Sequence, residues 1–348
     1  MVDTIDLLRY QSMTAAINEI KSPNSFIFNL LFSNHQTLLT ETAELSTKIG
    51  ARKIAPMVRK NGEALMIQGT TAGFATVECP NIRLKMPFSA GEIIFQRRPG
   101  VGIYETGQIE AAAKQKIATD LAYMADQIAN AEEFMAAQVL RGQISYSVNE
   151  GDQFQATIPR DASLSSDESG SNPWASGSVR QSVVLAKRQV NKLSGVGITH
   201  AIMGEEAADA FMKNAEIQTI LDNRNISAGD MTLIEQFTTQ GALHLGRAFG
   251  VSWWEYSRTA TDIAGVEQPM VRTKWVEFVS ATPASEFITY YGAIPEEDGN
   301  SLILHTGERF AKSWTQKDPA TLMALAHSRP LPWARRPNCM KSVKVVAG

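Results

Sequence analysis

Cysteine is nearly absent from this chain of 348 residues. Cys79 and Cys339 lie far apart and fit neither a zinc site nor the dense framework of a disulfide-stapled secreted domain. They read as two reduced, partly buried thiols of a cytosolic protein. Long apolar runs are missing too: no stretch approaches the run of about 20 residues that a membrane span needs. The opening MVDTIDLLRYQSM has early acids and no apolar core for a secretory signal. Nor does one sign of charge prevail. Thirty-three Lys and Arg against 36 Asp and Glu leave a net charge of −3. That argues against a protein that reads DNA through a strongly basic face, while allowing loose contact with nucleic acid.

The motifs of catalysis are missing as well. There is no G-x-x-x-x-G-K-[ST], H-E-x-x-H, C-x-x-C or calcium loop. The segment Gly195-Val196-Gly197-Ile198-Thr199-His200 lacks the third glycine of a dinucleotide fingerprint and precedes a strand where the fingerprint opens a helix. The histidines at 35, 200, 244, 305 and 327 have no metal-ligand spacing, and Ser169-Gly170 and Ser176-Gly177 lack the glycines of a nucleophile elbow. Asn225-Ile226-Ser227 is a glycosylation sequon without a secretory signal. The adjacent acids Glu132-Glu133 and Glu296-Glu297 read as neighbours that diverge on a helix or sit in a solvated turn. No catalytic, cofactor-binding or metal site is expected.

What is present is a sequence of well-marked elements. The first twenty residues suggest an amphipathic helix, with Asp3 as N-cap and Ile5, Leu8, Met13, Ile17 and Ile20 on its apolar side. After a break at Lys21-Ser22-Pro23-Asn24 comes the apolar run Phe26–Phe32, too short to bury itself, which reads as an arm in need of a partner surface. From Thr40 to about Arg83 the pattern turns strand-like. Asn61-Gly62 between Ile54–Val58 and Ala64–Ile67 is the strongest hairpin signal, and this excursion is expected to project and rest on a neighbour.

From about Thr106 to Arg141, apolar residues at Ile109, Ala113, Ile117, Leu121, Met124, Ile128, Ala131, Met135 and Val139 step by threes and fours. Gly142 follows as a C′ stop. At 1.5 Å per residue this helix would be roughly 50 Å long, with one apolar face lying on a sheet. A coiled coil is the alternative, against which the lack of a strict heptad counts. Ile144–Val148 and Phe154–Ile158 alternate as a hairpin, and Asp161–Ser178, rich in Ser, Gly and Asp, reads as a hinge. Beyond it, helices are expected around Val183–Leu193, Glu205–Met212 and Ala215–Leu221. Strands are expected around Gly250–Tyr256, Trp275–Val279 and Glu286–Tyr291, and a mostly extended end from Leu302 to Val346. In the strand at Trp253-Trp254 the two rings should face opposite sides, one into a core and one to a rim or interface.

In order along residues 12–346, short motifs accumulate: Ala55-Pro56 before Asn61-Gly62; Trp174; Leu193-Ser194-Gly195; Ala201-Ile202-Met203-Gly204; Gly246-Arg247-Ala248-Phe249-Gly250 and Trp254-Glu255-Tyr256. Tyr290-Tyr291-Gly292-Ala293-Ile294, Lys312-Ser313-Trp314, Asp318-Pro319 and Pro330-Leu331-Pro332 complete the set. Each is weak alone, but their shared order resembles the major capsid protein family of lambda-like tailed phages. The chain departs from it at Leu45-Ser46-Thr47, where the family often has an acid, and at the more basic Ala334–Cys339.

The resemblance implies an α+β fold of the Hong Kong 97 type. Its parts would be an N-terminal arm (1–39), an extended β-hairpin loop (40–100), a peripheral domain with a long spine helix (101–170 and 301–348) and an axial domain (171–300). It implies a structural, non-enzymatic subunit that self-assembles into hexamers and pentamers of an icosahedral shell around double-stranded DNA. A scaffolding protein, a portal and a decoration protein would be partners, with assembly in the bacterial cytoplasm and no membrane. Subunit contacts are expected from Phe26, Phe28 and Phe32 of the arm and Arg59, Lys60, Asn61 and Glu63 of the loop. Lys60 would donate any Lys–Asn cross-link of the kind some related shells form. A compartment shell of the encapsulin type, with the same fold around cargo enzymes, is the rival reading.

Overall fold

The structure, a computed structural model, describes residues 10–20, 25–48, 72–89, 106–147, 153–222, 236–238, 241–261, 265–282, 286–298, 301–316 and 321–347. The Asn61-Gly62 hairpin and the first nine residues lie outside these. Helix α1 covers Tyr10–Glu19 and α2 covers Phe26–Leu31, so part of the apolar run that sequence marks only as an arm is helical. Helix α3, Thr106–Arg141, has the limits its periodicity predicts. The remaining helices are α4 (Val179–Ser194), α5 (Glu205–Lys213) and α6 (Ala215–Asp222). Helix α4 starts where the Ser178 hydroxyl accepts from the Gln181 amide, and it stops at Gly195, whose φ of +71° suits glycine.

Two hydrophobic cores divide the described residues. One gathers around α3. It holds Ile17 of α1, the arm phenylalanines, Ile144 and Ala156 of the predicted hairpin (Gln143–Ser147 with Gln153–Thr157), and two three-stranded sheets. In the first sheet, His35–Thr37 runs parallel to Phe287–Tyr291, which pairs antiparallel with Pro330–Ala334. In the second, Thr321–Ser328 lies between Phe310–Gln316 and Ile82–Ser89, both antiparallel to it. The other core lies between α4, α5 and one face of a seven-stranded sheet. The strand order there is Ser165–Asp167, Met340–Lys344, Trp275–Val279, His200–Met203, Val251–Glu255, Leu243–Ala248, Gln236–Phe237. As expected, the neighbouring tryptophans part: Trp253 is buried in this second core, and Trp254 faces the first.

Three expectations need correction. Asp161–Ser178 is no hinge: Ser165–Asp167 is the edge strand of the large sheet, and the Trp174 indole is fully buried among Phe211 and Trp253. Polar composition marks an edge strand as readily as a linker, because an edge needs little apolar cover. Sheet membership also departs from the domain limits that the resemblance implied. The C-terminal strand Met340–Lys344 joins the large sheet, while Phe287–Tyr291 and the hairpin Ile294–Asp298/Ser301–His305 belong with the α3 core. Third, α3 does not lie on a sheet by one face alone. From Leu121 onward its buried residues include Glu132, Glu133, Ala137 and Gln138, off the predicted stripe, because the arm, strands of three sheets and the hairpin surround it.

Candidate functional site

The expected arm contacts Phe26, Phe28 and Phe32 are buried inside their own chain, with 3%, 8% and 0% of their surface exposed. The Phe26 ring lies 4.9 Å from Trp254 and 5.6 Å from Tyr256, and Phe32 meets Phe287 edge-on at 5.2 Å. Phe28 sits between Phe32 and His35. The partner surface that the arm requires is thus supplied in cis, and these rings need no neighbouring subunit to leave water. Arg59, Lys60, Asn61 and Glu63 lie outside the described residues.

The arm is fixed by the adjacent glutamates that the sequence reading set aside. A helix as short as α2 has few internal bonds, and its N-cap Ser25 makes no side-chain cap. Glu133 of α3 takes that role: its carboxylate accepts from the amides of Ile27 and Phe28, each at 2.8 Å, beside Tyr256 and Arg258. One residue earlier, Glu132 accepts from the Tyr291 hydroxyl at 3.2 Å and from Arg309 at 3.1 Å. Neighbours on a helix point about 100° apart, so the two carboxylates hold different structures: the arm on one side, the C-terminal strands on the other. Burial pushes both carboxyls above the usual glutamate range, against the opposing pull of Arg309 on Glu132 and of the two amides on Glu133.

The C-terminal end of α3 is tied to the large sheet. Arg160 donates to the carbonyls of Leu140 at 3.1 Å and Arg141 at 2.8 Å, satisfying last-turn acceptors, and it also reaches the Ser342 hydroxyl. Ser342 in turn donates to Glu277, which is paired with Arg272 at 2.7 Å. Arg141 itself donates to the carbonyls of Pro269 and Met270.

A third anchor holds the base of a two-stranded ribbon. Its strands Thr42–Lys48 and Ala72–Glu78 pair antiparallel in unbroken register. Where they meet the body, buried Arg329 pairs with Glu41 at 3.0 Å and Glu78 at 3.4 Å, and donates to the Ala293 carbonyl at 3.3 Å. Cys79 packs here against Gly292, where an added Cβ would stand 3.0 Å from the cysteine Cβ. Glu296, expected in a solvated turn, is a buried strand residue bound by Lys312 (2.6 Å), Arg83 (2.7 Å) and His327 (3.1 Å).

Sequence reasoning missed these anchors because each pairs residues far apart in the chain, and no local signal joins Glu133 to Ile27 or Arg329 to Glu41. Apolar side chains are also left on the surface: Leu39, Tyr123, Val266, Leu304 and Trp314, the last with Lys85 and Lys312 over its ring. Among the described residues, no group of three or more His, Cys, Asp or Glu could hold a metal ion, and no helix is long and apolar enough to cross a membrane.

No curated protein matches this chain. Among solved structures it is similar to the putative capsid protein of a prophage of E. coli CFT073, at 15% identity and a TM-score of 0.69, over 98% of this chain and 99% of that one. It is also similar to a phage-related protein of Bordetella bronchiseptica RB50, at 13% identity and a TM-score of 0.54, over 95% of each. The family described as phage major capsid protein E matches residues 10–345. The fold is that of Hong Kong 97-type capsid subunits, and by this match over nearly its whole length the chain belongs to the phage major capsid protein E family.

Proposed function

We propose that this chain, a phage major capsid protein by family, builds an icosahedral shell of hexamers and pentamers around double-stranded DNA. The family match across residues 10–345 carries the reading. The anchors agree with it: arm, loop root and spine helix are each pinned to the body, as a subunit needs when neighbours pull on its extensions. The division this supports is an arm (1–39), an extended loop (40–100), a peripheral body (101–160 with 286–334) and an axial body (161–280 with 337–347). Arg59, Lys60, Asn61 and Glu63 on the loop contact the next subunit. Interfaces of this kind fall in the large class, above roughly 2,000 Å².

Such contacts are heterologous, and they close into a shell where the rotation between subunits permits. A scaffolding protein, a portal and a decoration protein act as partners, and assembly takes place in the host cytoplasm. The subunit has no catalytic role, in keeping with the absence of any catalytic motif in the sequence. An encapsulin-type compartment shares this fold, but the phage family match favours the phage shell.

The test is negative-stain electron microscopy of the protein expressed alone and passed over a sizing column. Closed shells or ring-shaped capsomers in the excluded volume are expected. A monomer peak that persists after the neighbouring scaffold gene is co-expressed would overturn the reading.

A further inference from the structure

The arm ends in a weakly held segment. After α2 the chain pairs only as His35–Thr37, a strand of three residues, none of them buried. Two flanking bonds add to it, from the Thr289 amide to the Asn34 carbonyl and from the Leu38 amide to the Tyr291 carbonyl. Pairing so short and exposed opens at little cost. One side chain reinforces it. The His35 ring reaches back to the end of α2, where Nε2 lies 3.1 Å from the Phe32 carbonyl oxygen. Its other nitrogen, Nδ1, lies 2.7 Å from a carboxylate oxygen of Glu308. Glu308 stands on the fixed side, just before the strand Phe310–Gln316, and its own carbonyl accepts from the Ser328 hydroxyl at 2.7 Å.

These two contacts decide the protonation state of the ring. A backbone carbonyl and an ionised carboxylate can only accept, and a neutral imidazole carries a single N–H. Both contacts are hydrogen bonds only when both nitrogens carry a proton, so the geometry calls for the imidazolium. A protonated Glu308 beside a neutral ring would fit as well. Against that, the bond from His35 holds the Glu308 carboxyl below the usual glutamate range in spite of burial, with Arg309 adding to the effect. The same bond pushes His35 above the usual histidine range and outweighs burial, and Glu132 and the Phe32 carbonyl act in the same direction. The other charged or titratable groups around the ring are Arg309, paired with Glu132 at 3.1 Å, and Tyr291, which meets His35 edge-on at 5.6 Å. Burial pushes the Tyr291 phenol well above its usual range, so it stays neutral. The imidazolium also suits its place, a cation at the last carbonyls of α2 as Glu133 is an acceptor at its first amides.

We propose that His35 is a proton-operated latch on the far end of the arm. As the imidazolium it joins the Phe32 carbonyl to Glu308 and closes the segment 32–38 onto the body. As a neutral ring it donates to only one of them, the ion pair is lost, and the segment loosens beside the Phe28 and Phe32 rings. With 31% of the His35 side chain and 43% of that of Glu308 exposed, protons reach the pair without any unfolding. The raised value sets the sense. The latch is whole below about pH 6.5, where a free histidine titrates, and opens as the pH rises through the higher value of the folded chain. The inference concerns the arm of a single subunit and goes beyond the shell reading without resting on it.

Exchange of the imidazole C2 proton for deuterium, read by mass spectrometry on peptides of the full chain from about pH 5 to about pH 10, gives a titration midpoint for each histidine. The His35 midpoint should lie above about 6.5, and Glu308→Gln should bring it down to about 6.5 or below. A glutamine oxygen accepts without a charge, and its NH₂ can donate to a bare ring nitrogen. His200, which burial holds below the usual histidine range, is the control and should not move. Amide exchange on the same samples reads the latch itself. After correction for intrinsic rates, protection across 32–38 should fall about five- to tenfold as the pH passes the His35 midpoint. The peptide covering Trp275–Val279 should keep its protection. In His35→Gln the segment should exchange at the open rate at every pH. A His35 midpoint at or below about 6.5, or one unmoved in Glu308→Gln, overturns the inference. So does protection across 32–38 that ignores the midpoint, or that follows it equally in His35→Gln.

Discussion

Replacing Glu133 tests the central geometric claim, that one carboxylate of the spine helix holds the arm in place. Glu133 is fully buried and accepts two amides at 2.8 Å each. A hydrogen bond to a charged acceptor contributes about 1.5–3 kcal/mol, and a buried donor left unpaired costs about 1–3 kcal/mol. Glu133→Ala strands both amides and leaves a small void, but it also removes a carboxylate that burial already disfavours. The balance is a loss of about 2–4 kcal/mol. Glu133→Gln keeps one acceptor oxygen and turns an NH₂ toward the second amide, for about 1–2 kcal/mol. At 1.4 kcal/mol per tenfold change, Glu133→Ala should speed exchange of the Ile27 and Phe28 amides by roughly thirty- to several-hundred-fold.

Hydrogen exchange read by mass spectrometry on a peptide spanning 25–32 measures this directly. A denaturant titration of the unassembled subunit gives the global effect. Glu297→Ala, on the exposed side of its strand, is the control and should change stability by less than about 0.5 kcal/mol. The reasoning fails if Glu133→Ala leaves exchange at 25–32 unchanged, or if Glu133→Gln is as costly as Glu133→Ala.

Three further outcomes follow from the same structure. Gly204→Ala would place a Cβ 2.3 Å from the Arg272 carbonyl oxygen and 2.5 Å from the Thr273 Cα, both backbone atoms that cannot swing aside. A loss of about 1–3 kcal/mol is expected, read as a lower denaturation midpoint. Arg160→Ala strips the end of α3 of its guanidinium and should cost about 2–3 kcal/mol, and Arg160→Lys should recover less than half of that, because the bidentate fork is lost. Burial holds His327 down at about 4 although Glu296 pulls the other way. The unfolded chain takes up that proton near pH 6.5 and the folded one only near pH 4. Stability from this group is therefore present above pH 6.5 and is lost as the pH falls from 6.5 to 4, by up to about 3 kcal/mol. The Glu296 carboxyl, held below the usual range by Lys312, His327 and Arg83 in spite of burial, loses its contribution lower, as the pH falls below about 4.5. Thermal melts at several pH values should show the upper part of this slope flattened in His327→Gln.

The parts of the fold that sequence made legible are those written in local periodicity. Helix α3 ends where its apolar steps stop and Gly142 begins, and the strand expected around Trp275–Val279 has those limits in the structure. The strand Leu243–Ala248 was missed, since Gly246 and Arg247 interrupt its apolar pattern and a bulge between His244 and Gly246 shifts its register. Asp161–Ser178 was misread because an edge strand and a linker share a composition. Glu132 and Glu133 were misread for a more general reason. Periodicity detects burial on one stripe of a helix, and a helix wrapped on several sides shows its further contacts only through isolated polar residues.

That wrapping limits how the subunit can change shape. From Leu121 to its end, α3 is held by Glu133 to the arm, by Glu132 to Tyr291 and Arg309, and by Arg160 to the sheet through Ser342 and Glu277. Each link joins α3 to a different element, so a bend in this half of the helix would break at least one buried charged contact. Breaking a buried pair costs about 3–5 kcal/mol, comparable with the stability of an ordinary domain. Rigid-body movement of this block is therefore cheaper than deformation within it. A shell that expands on packaging should carry the block unchanged and take up the movement elsewhere in the subunit. Superposing residues 121–141 with the arm and Tyr291 from empty and full particles tests this. Agreement within about 1 Å, the scale of a preserved interface, fits the argument, and a kink between Leu121 and Arg141 refutes it.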